Sequence, residues 1–201
     1  MAKANWVKVN PASGSGNATV SVSSNVEHTG RKVRTTTLTW TAANVSDIVR
    51  TVSQAGKPEY VTMAESVSVD KVGKLVTIGG KSNSAKLTFS LGSGNLTNIT
   101  LPNTYIANSI STSNGEAISG DPGATAEYNF SIAIIVPENS DTNEKTRQII
   151  VTNEAGNTAI CTLRSTANDA YVTVQEGTIE LDYLGTEVSW SVESNTTWTI
   201  S

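Results

Sequence analysis

The chain alternates apolar and polar residues with a period of two over many short stretches, the pattern of strands with one face buried and one wet. The clearest cases are Thr19-Val20-Ser21-Val22, Thr37-Leu38-Thr39-Trp40, Val67-Ser68-Val69, Phe130-Ser131-Ile132-Ala133-Ile134 and Val188-Ser189-Trp190-Ser191-Val192. Turn signals punctuate them at Asn10-Pro11, Gly14-Ser15-Gly16, Asn114-Gly115, Gly120-Asp121-Pro122-Gly123 and Ala155-Gly156-Asn157. Strands spaced at about 8–12 residues with such punctuation predict a sandwich or barrel. No segment carries a 3.6-residue apolar period, so the expected fold class is all-β.

The pattern also repeats. Glu59-Tyr60-Val61-Thr62 returns as Ala170-Tyr171-Val172-Thr173, and 171 minus 60 gives an offset of 111. That offset aligns residues 34–62 with 145–173 without a gap and sets Pro11 on Pro122. Residues 66–90 answer 177–201, with Gly73 on Gly185 and Ser82-Asn83 on Ser194-Asn195 after a slip of one residue. Three segments follow from this register. Residues 59–169 form one whole unit, residues 170–201 only the first third of another, and residues 1–58 the remainder that this third lacks.

Written end before beginning, the termini give Ser194-Asn195-Thr196-Thr197-Trp198-Thr199-Ile200-Ser201, then Asn5-Trp6-Val7-Lys8-Val9-Asn10-Pro11-Ala12-Ser13-Gly14. An Asn-x-x-Trp segment (Asn195 to Trp198) precedes a second Trp (Trp6) and a Pro-x-x-Gly turn (Pro11 to Gly14). Asn25, then Arg31 or Arg34 before a Thr-rich strand, and a closing Gln54-Ala55-Gly56 complete the set. This constellation resembles the BACON domain, an immunoglobulin-like module of Bacteroidota proteins and of phages that infect them, including virion auxiliary proteins of crAss-like phages. The central unit departs from it, with Leu87 opposite Trp198, Ile118 or a neighbour near Trp6, and an ending of Ser165-Thr166-Ala167. The resemblance implies tandem immunoglobulin-like (BACON-like) β-sandwiches, one whole and two complementary half-domains.

A half sandwich leaves strand edges and an apolar face open to water, so the halves require completion. They can pair within one chain, as a circular permutation around the central unit, or between chains, head to tail. Tandem sandwiches enter at one pole and leave at the other, and the connecting stretches 54–59 and 165–170 are short. Completion between chains is therefore expected, with residues 171–201 of one subunit filling the sandwich begun by residues 6–54 of the next. Such a contact is heterologous and builds a ring or a filament. The residues expected at the seam are Trp6, Val7, Val20, Leu38, Tyr171, Val172, Val188, Val192, Trp198 and Ile200.

Composition narrows the function. The net charge is −4, and the longest basic cluster is Gly30-Arg31-Lys32-Val33-Arg34, so no nucleic-acid partner is expected. No run of about 18 apolar residues occurs, so no membrane partner is expected either. One cysteine, Cys161, and one histidine, His28, exclude an intrachain disulfide and the usual nucleophile–base pairs and imidazole or thiolate metal sites. The carboxylates near Glu176, Glu180 and Asp182, or Asp141 and Glu144, lack the dense spacing of a calcium cage. No catalytic residue, metal or cofactor is expected.

The tryptophans divide. Trp6 and Trp198 are expected to pack at the junction of the halves, while Trp40 and Trp190, in Ser/Thr-alternating strands, are the candidates for stacking on sugar rings. The chain opens on Met1-Ala2-Lys3-Ala4-Asn5-Trp6 without an apolar leader, from which synthesis in a host cytoplasm and a place in a virion are expected. The expected function is non-enzymatic: a bacteriophage capsid auxiliary or decoration protein, or a tail or collar component, assembled head to tail by strand exchange. Its partners are then copies of itself and the major capsid or other virion proteins. The rival reading is a carbohydrate-binding BACON-type module of a secreted or surface Bacteroidota protein, with host or mucin glycans as partners.

Overall fold

The computed structural model describes residues 3–201. Four strands come first: β1 (Val7–Asn10), β2 (Ser21–Ser24), β3 (Arg34–Ala42) and β4 (Val45–Gln54). A second group runs through β5 (Val61–Met63), β6 (Ser66–Val69), β7 (Lys74–Ser82), β8 (Leu87–Gly94), β9 (Thr104–Ala107) and β10 (Ile110–Ser113). It continues, after a 3-10 turn at Pro122–Ala124, with β11 (Tyr128–Val136), β12 (Lys145–Asn153) and β13 (Thr158–Ser165). The short strands β14 (Val172–Val174) and β15 (Val192–Ser194) close the chain. The chain is all-β, as its alternation predicts.

β5 to β13 build one sandwich. One sheet has the order β10-β9-β11-β7-β5 and the other β6-β13-β12-β8. The first strand is split: β5 pairs antiparallel with β7, and β6 then crosses to pair parallel with the last strand, β13. With β7, β11 and β9 in one sheet and β8, β12 and β13 in the other, this is an immunoglobulin-like arrangement. Strict alternation explains why these segments take it. Every second residue of β11, from Tyr128 to Val136, is buried, and Ile149 and Val151 of β12 face it across the core. Phe89 anchors the centre, its ring 5.1 Å from Tyr105 and 5.8 Å, edge-on, from Phe130. Cys161 is buried in the same core, where desolvation pushes its thiol pKa up and keeps it unreactive.

The rest of the chain is different. β1–β2, β3–β4 and β14–β15 are isolated two-stranded sheets, a form that is marginal in water by itself. Among the described residues, every buried hydrophobic side chain apart from Val7 and Leu38 lies in the sandwich. None lies in residues 171–201, where Tyr183 is 95% and Ile200 84% exposed. The chain exposes 12907 Å². A compact monomer of its 21.1 kDa exposes about 9,000 Å².

The register of these ribbons repeats that of the sandwich. β3 and β4 pair Arg34 with Gln54, Thr36 with Val52 and Leu38 with Arg50, while β12 and β13 pair Lys145 with Ser165, Arg147 with Leu163 and Ile149 with Cys161. Each residue is displaced by 111, as 145 minus 34 shows. β14 is β5 displaced by the same amount. Val61 pairs with Ser82 but Val172 with Ser194, so the one-residue slip falls between β14 and β15. Gly73 and Gly185 sit in matching left-handed turns, at φ 70° and 69°, and donate to Asp70 O and Asp182 O respectively.

Two alternating stretches are not fully strand. Residues 188–192 predict a strand, yet only β15 at Val192–Ser194 forms, and residues 19–22 give β2 at Ser21–Ser24. Their counterparts in the sandwich, β7 and β11, run for nine residues each because they pair with one another. A strand whose neighbour is missing has nowhere to place its backbone hydrogen bonds.

Candidate functional site

The repeat register matches the two terminal segments to different parts of the sandwich. In the sandwich, β12 and β13 are flanked by β8 and β6, and β11 is flanked by β7. β3 and β4, the counterparts of β12 and β13, have both outer edges open, and β2 pairs with β1 alone. The counterparts of β6, β7 and the first half of β8, residues 87–90, fall within residues 177–201. Among the described residues, no strand of residues 3–58 pairs with one of residues 170–201.

The side chains tell the same story. Displaced by 111, Leu38 and Trp40 stand on Ile149 and Val151 and Val172 on Val61; displaced by 112, Val188 stands on Val76 and Trp190 on Ile78. The segment after Asn195 is one residue shorter than that after Asn83, which returns the offset to 111 and sets Trp198 on Leu87 and Ile200 on Phe89. All seven counterparts are buried in the sandwich. Of the terminal residues only Leu38 is buried, Trp190 is half-buried, and Trp40, Val172, Val188, Trp198 and Ile200 are exposed. Trp40 is 42% exposed where Val151 is 0%. It shares a face of β3 with Leu38, and both line a groove of about 490 Å³ with Val9 and the turn at Pro11.

Elsewhere in the predicted seam, Val7 is buried and Trp6 half-buried, with the Arg34 guanidinium 4.6 Å from its ring centroid. Val20 and Val192 are half-buried, and Tyr171 is exposed. Trp6, Val7, Val20, Leu38 and Trp40 thus lie in one half and Tyr171, Val172, Val188, Trp190, Val192, Trp198 and Ile200 in the other, and no strand pairing among the described residues joins the two sets. Among the described residues, no group of three or more His, Cys, Asp or Glu side chains is placed to hold a metal ion.

The halves attach to opposite poles. β7 runs from Lys74 to Ser82, and nine residues at about 3.3 Å each separate its ends by roughly 30 Å. At the Ser82 pole, the buried Asn83 side chain clamps the N-terminal half: its Nδ2 donates to Thr29 O (3.2 Å), Lys57 O (3.2 Å) and Pro58 O (3.3 Å). Its Oδ1 accepts from Tyr60 N (3.0 Å). At the Lys74 pole, Asn195 Oδ1 accepts from Tyr171 N (3.0 Å), and its Nδ2 donates to Asp169 O (2.9 Å) and Ser140 O (3.5 Å). Sequence reasoning marks the Ser-Asn pair only as a sign of repetition and misses the clamp. Its recurrence at both strand ends was the signal.

Arg31 adds charge to the first joint. Its guanidinium forks onto the Asp121 carboxylate, with Nη2 2.6 Å from Oδ2, and its Nε lies 3.6 Å from Glu59 Oε1. Hydrogen bonding to Arg31 holds the Asp121 carboxyl below its ordinary pKa. Gly30 lets the two bodies close, because a Cβ there would overlap the Thr125 carbonyl; within the sandwich, a Cβ on Gly123 would overlap the Asn83 carbonyl and displace the turn that meets Gly30. Asp121→Ala will therefore loosen this joint by about 1–2 kcal/mol, accelerating amide exchange at Arg31 and Lys32 roughly 5–30-fold. Those two N–H groups donate to Gly123 O and Ala124 O across the joint. Because the folded carboxyl pKa is depressed, its contribution is fully present above the unfolded value of 3.8 and is lost as pH falls from there through the lower folded value. Relative to the intrinsic exchange rate at each pH, wild-type protection of these amides should fall below pH about 4, and the variant should lack that step.

No family model matches the chain, and no curated protein matches it either. Among solved structures it is similar to a protein from Bacteroides thetaiotaomicron determined by NMR, at 10% identity and a TM-score of 0.26, covering 56% of this chain and 89% of that one. It is also similar to cadherin-like domains 1 to 4 of zebrafish RET, at 11% identity and a TM-score of 0.34, covering 82% of this chain and 41% of that one. The architecture rests on the strand pairings. Among the described residues, no helix is long and apolar enough to cross a membrane.

Proposed function

We propose that the chain is a non-catalytic structural subunit that assembles head to tail by strand exchange. The observation that carries this reading is the pair of complementary open half-sandwiches held at opposite poles of a finished one. Residues 171–201 of one subunit supply the neighbours of β2, β3 and β4 in the next, so that exposed Trp40, Val188, Trp198 and Ile200 take core positions. Completion within one chain would require the C-terminal segment to cross about 30 Å from a pole where Thr166 N donates to Val69 O and Asn168 N to Asp141 O. The surface in excess of a compact monomer, about 4,000 Å², matches the 2,000–5,000 Å² class of obligate interfaces.

The assembly is, in this reading, part of a bacteriophage virion: a capsid decoration, or a tail or collar element. That step rests on resemblance to BACON-like modules and not on a site. The register counts against the rival sugar-binding role, since it assigns Trp40 and Trp190, the stacking candidates, to a core.

Light scattering over a dilution series tests the assembly. The weight-average mass should exceed 21.1 kDa and grow with concentration or settle at a closed ring. A strict monomer across the series overturns the reading. Recovery of the chain in gradient-purified phage particles checks its location, and its absence from them places the assembly elsewhere.

A further inference from the structure

The two joints match hydrogen bond for hydrogen bond on one side only. Lys57 N donates to Gly30 O at the first, and Asn168 N donates to Asp141 O at the second, each displaced by 111. The clamps of Asn83 and Asn195 correspond, and so do the hydroxyl bonds of Ser82 to Tyr60 O (2.7 Å) and of Ser194 to Tyr171 O (2.9 Å). The first joint has a further set of contacts, made by the turn before β11. Gly123 O and Ala124 O accept from Arg31 N and Lys32 N, and Glu127 N donates to Thr29 Oγ1. At the second joint the counterparts of Arg31 and Lys32 are Thr142 and Asn143, whose N–H groups meet no partner among the described residues.

The missing turn exists elsewhere in the chain. The counterpart of the segment before β11 is the segment before β2, residues 10–16, which is exposed throughout and lies at the opposite pole. Resting on the strand-exchange reading, we infer that loop 139–143 is a second contact between copies. It receives the turn at Pro11–Gly14 of the next subunit once that subunit has accepted the C-terminal strands. The partner is thus a second copy of this chain, and continuity with the exchanged strands sets the position of the turn.

The chemistry of this joint differs from the first. Thr142 stands for Arg31, Asn10 for Asp121 and Ala170 for Glu59, so the charged fork is absent. Asp141 replaces Gly30 and carries a side chain, ion-paired to Lys145, where the first joint needs none. The turn therefore seats farther out, on neutral polar contacts, and successive joints along the assembly alternate between charged and neutral.

Full-length chains carrying Thr142→Cys with either Ala12→Cys or Ser13→Cys test this, the two pairs covering a slip of one residue. Ala12 and Ser13 are exposed and Thr142 is half-buried, all three in bends of the chain, and Cys161 is buried. After assembly is verified by light scattering, a short bismaleimide should yield a ladder of linked chains on a denaturing gel. Linkage should exceed that of the single-cysteine chains by roughly tenfold or more, the advantage of a millimolar effective concentration over chance collision. If the chains assemble and neither pair links above its single-cysteine controls, the inferred joint is wrong and strand exchange stands. If the natural chain does not assemble, strand exchange fails and this contact fails with it.

Discussion

A chain ending at Ala170 will be monomeric at every concentration at which the full chain assembles, and it will bind residues 171–201 supplied on a soluble carrier. The deletion removes β14 and β15 together with Val172, Val188, Trp190, Trp198 and Ile200, whose counterparts in the sandwich are all buried. Nothing else in the chain offers strands in the register that β2, β3 and β4 leave open. The sandwich should be untouched, since its core runs from Val61 to Leu163 and takes no side chain from the deleted segment. Its thermal transition should therefore persist while assembly is lost. The added segment orders on binding and loses part of the gross interaction, so affinity in the micromolar range or tighter, about −8 kcal/mol, is expected. Persistent assembly of the truncated chain, or indifference to the added segment, would show that the halves do not complete each other.

Much of this arrangement was legible in the sequence because the repeat is nearly ungapped. Aligning residues 34–62 with 145–173 anticipates the register in which Arg34 meets Gln54 and Lys145 meets Ser165. Alternation alone was less informative where a strand lacks its neighbour. Residues 188–192 carry as clear a period of two as β11 does, yet most of them are not strand, because pattern selects the face and pairing makes the strand. The core position that strand exchange would give Trp40, which is 42% exposed in the single chain, is hidden in the sequence for a related reason. Period two groups Trp40 with Leu38 on one face but does not say which face is covered, and Thr on both sides suggested a wet strand. Asn83 was illegible in another way. In a chain rich in Ser and Asn it reads as a turn residue, and its role arises from the carbonyls of Thr29, Lys57 and Pro58, which only the folded chain brings to one amide.

Reordering the chain so that residues 59–201 are followed directly by residues 3–58 should convert the assembling protein into a monomer of two complete sandwiches. The permutation puts the C-terminal strands immediately before the half that needs them and leaves no open half at either end. Intramolecular pairing then proceeds at an effective concentration in the millimolar range, about a thousandfold above a micromolar solution of chains, so exchange between copies cannot compete. Trp40, Trp190 and Trp198 should pass from water into a core, and their fluorescence should shift to the blue at concentrations where the natural chain, diluted to monomers, emits to the red. The surface should fall from 12907 Å² towards the value of about 9,000 Å² for a compact monomer of this mass, which small-angle scattering reads as a smaller radius. No residue is substituted, so a permuted monomer cannot be attributed to a damaged contact. A permuted chain that assembles as the natural one does, or keeps its tryptophans in water, would mean that the halves are not parts of one sandwich.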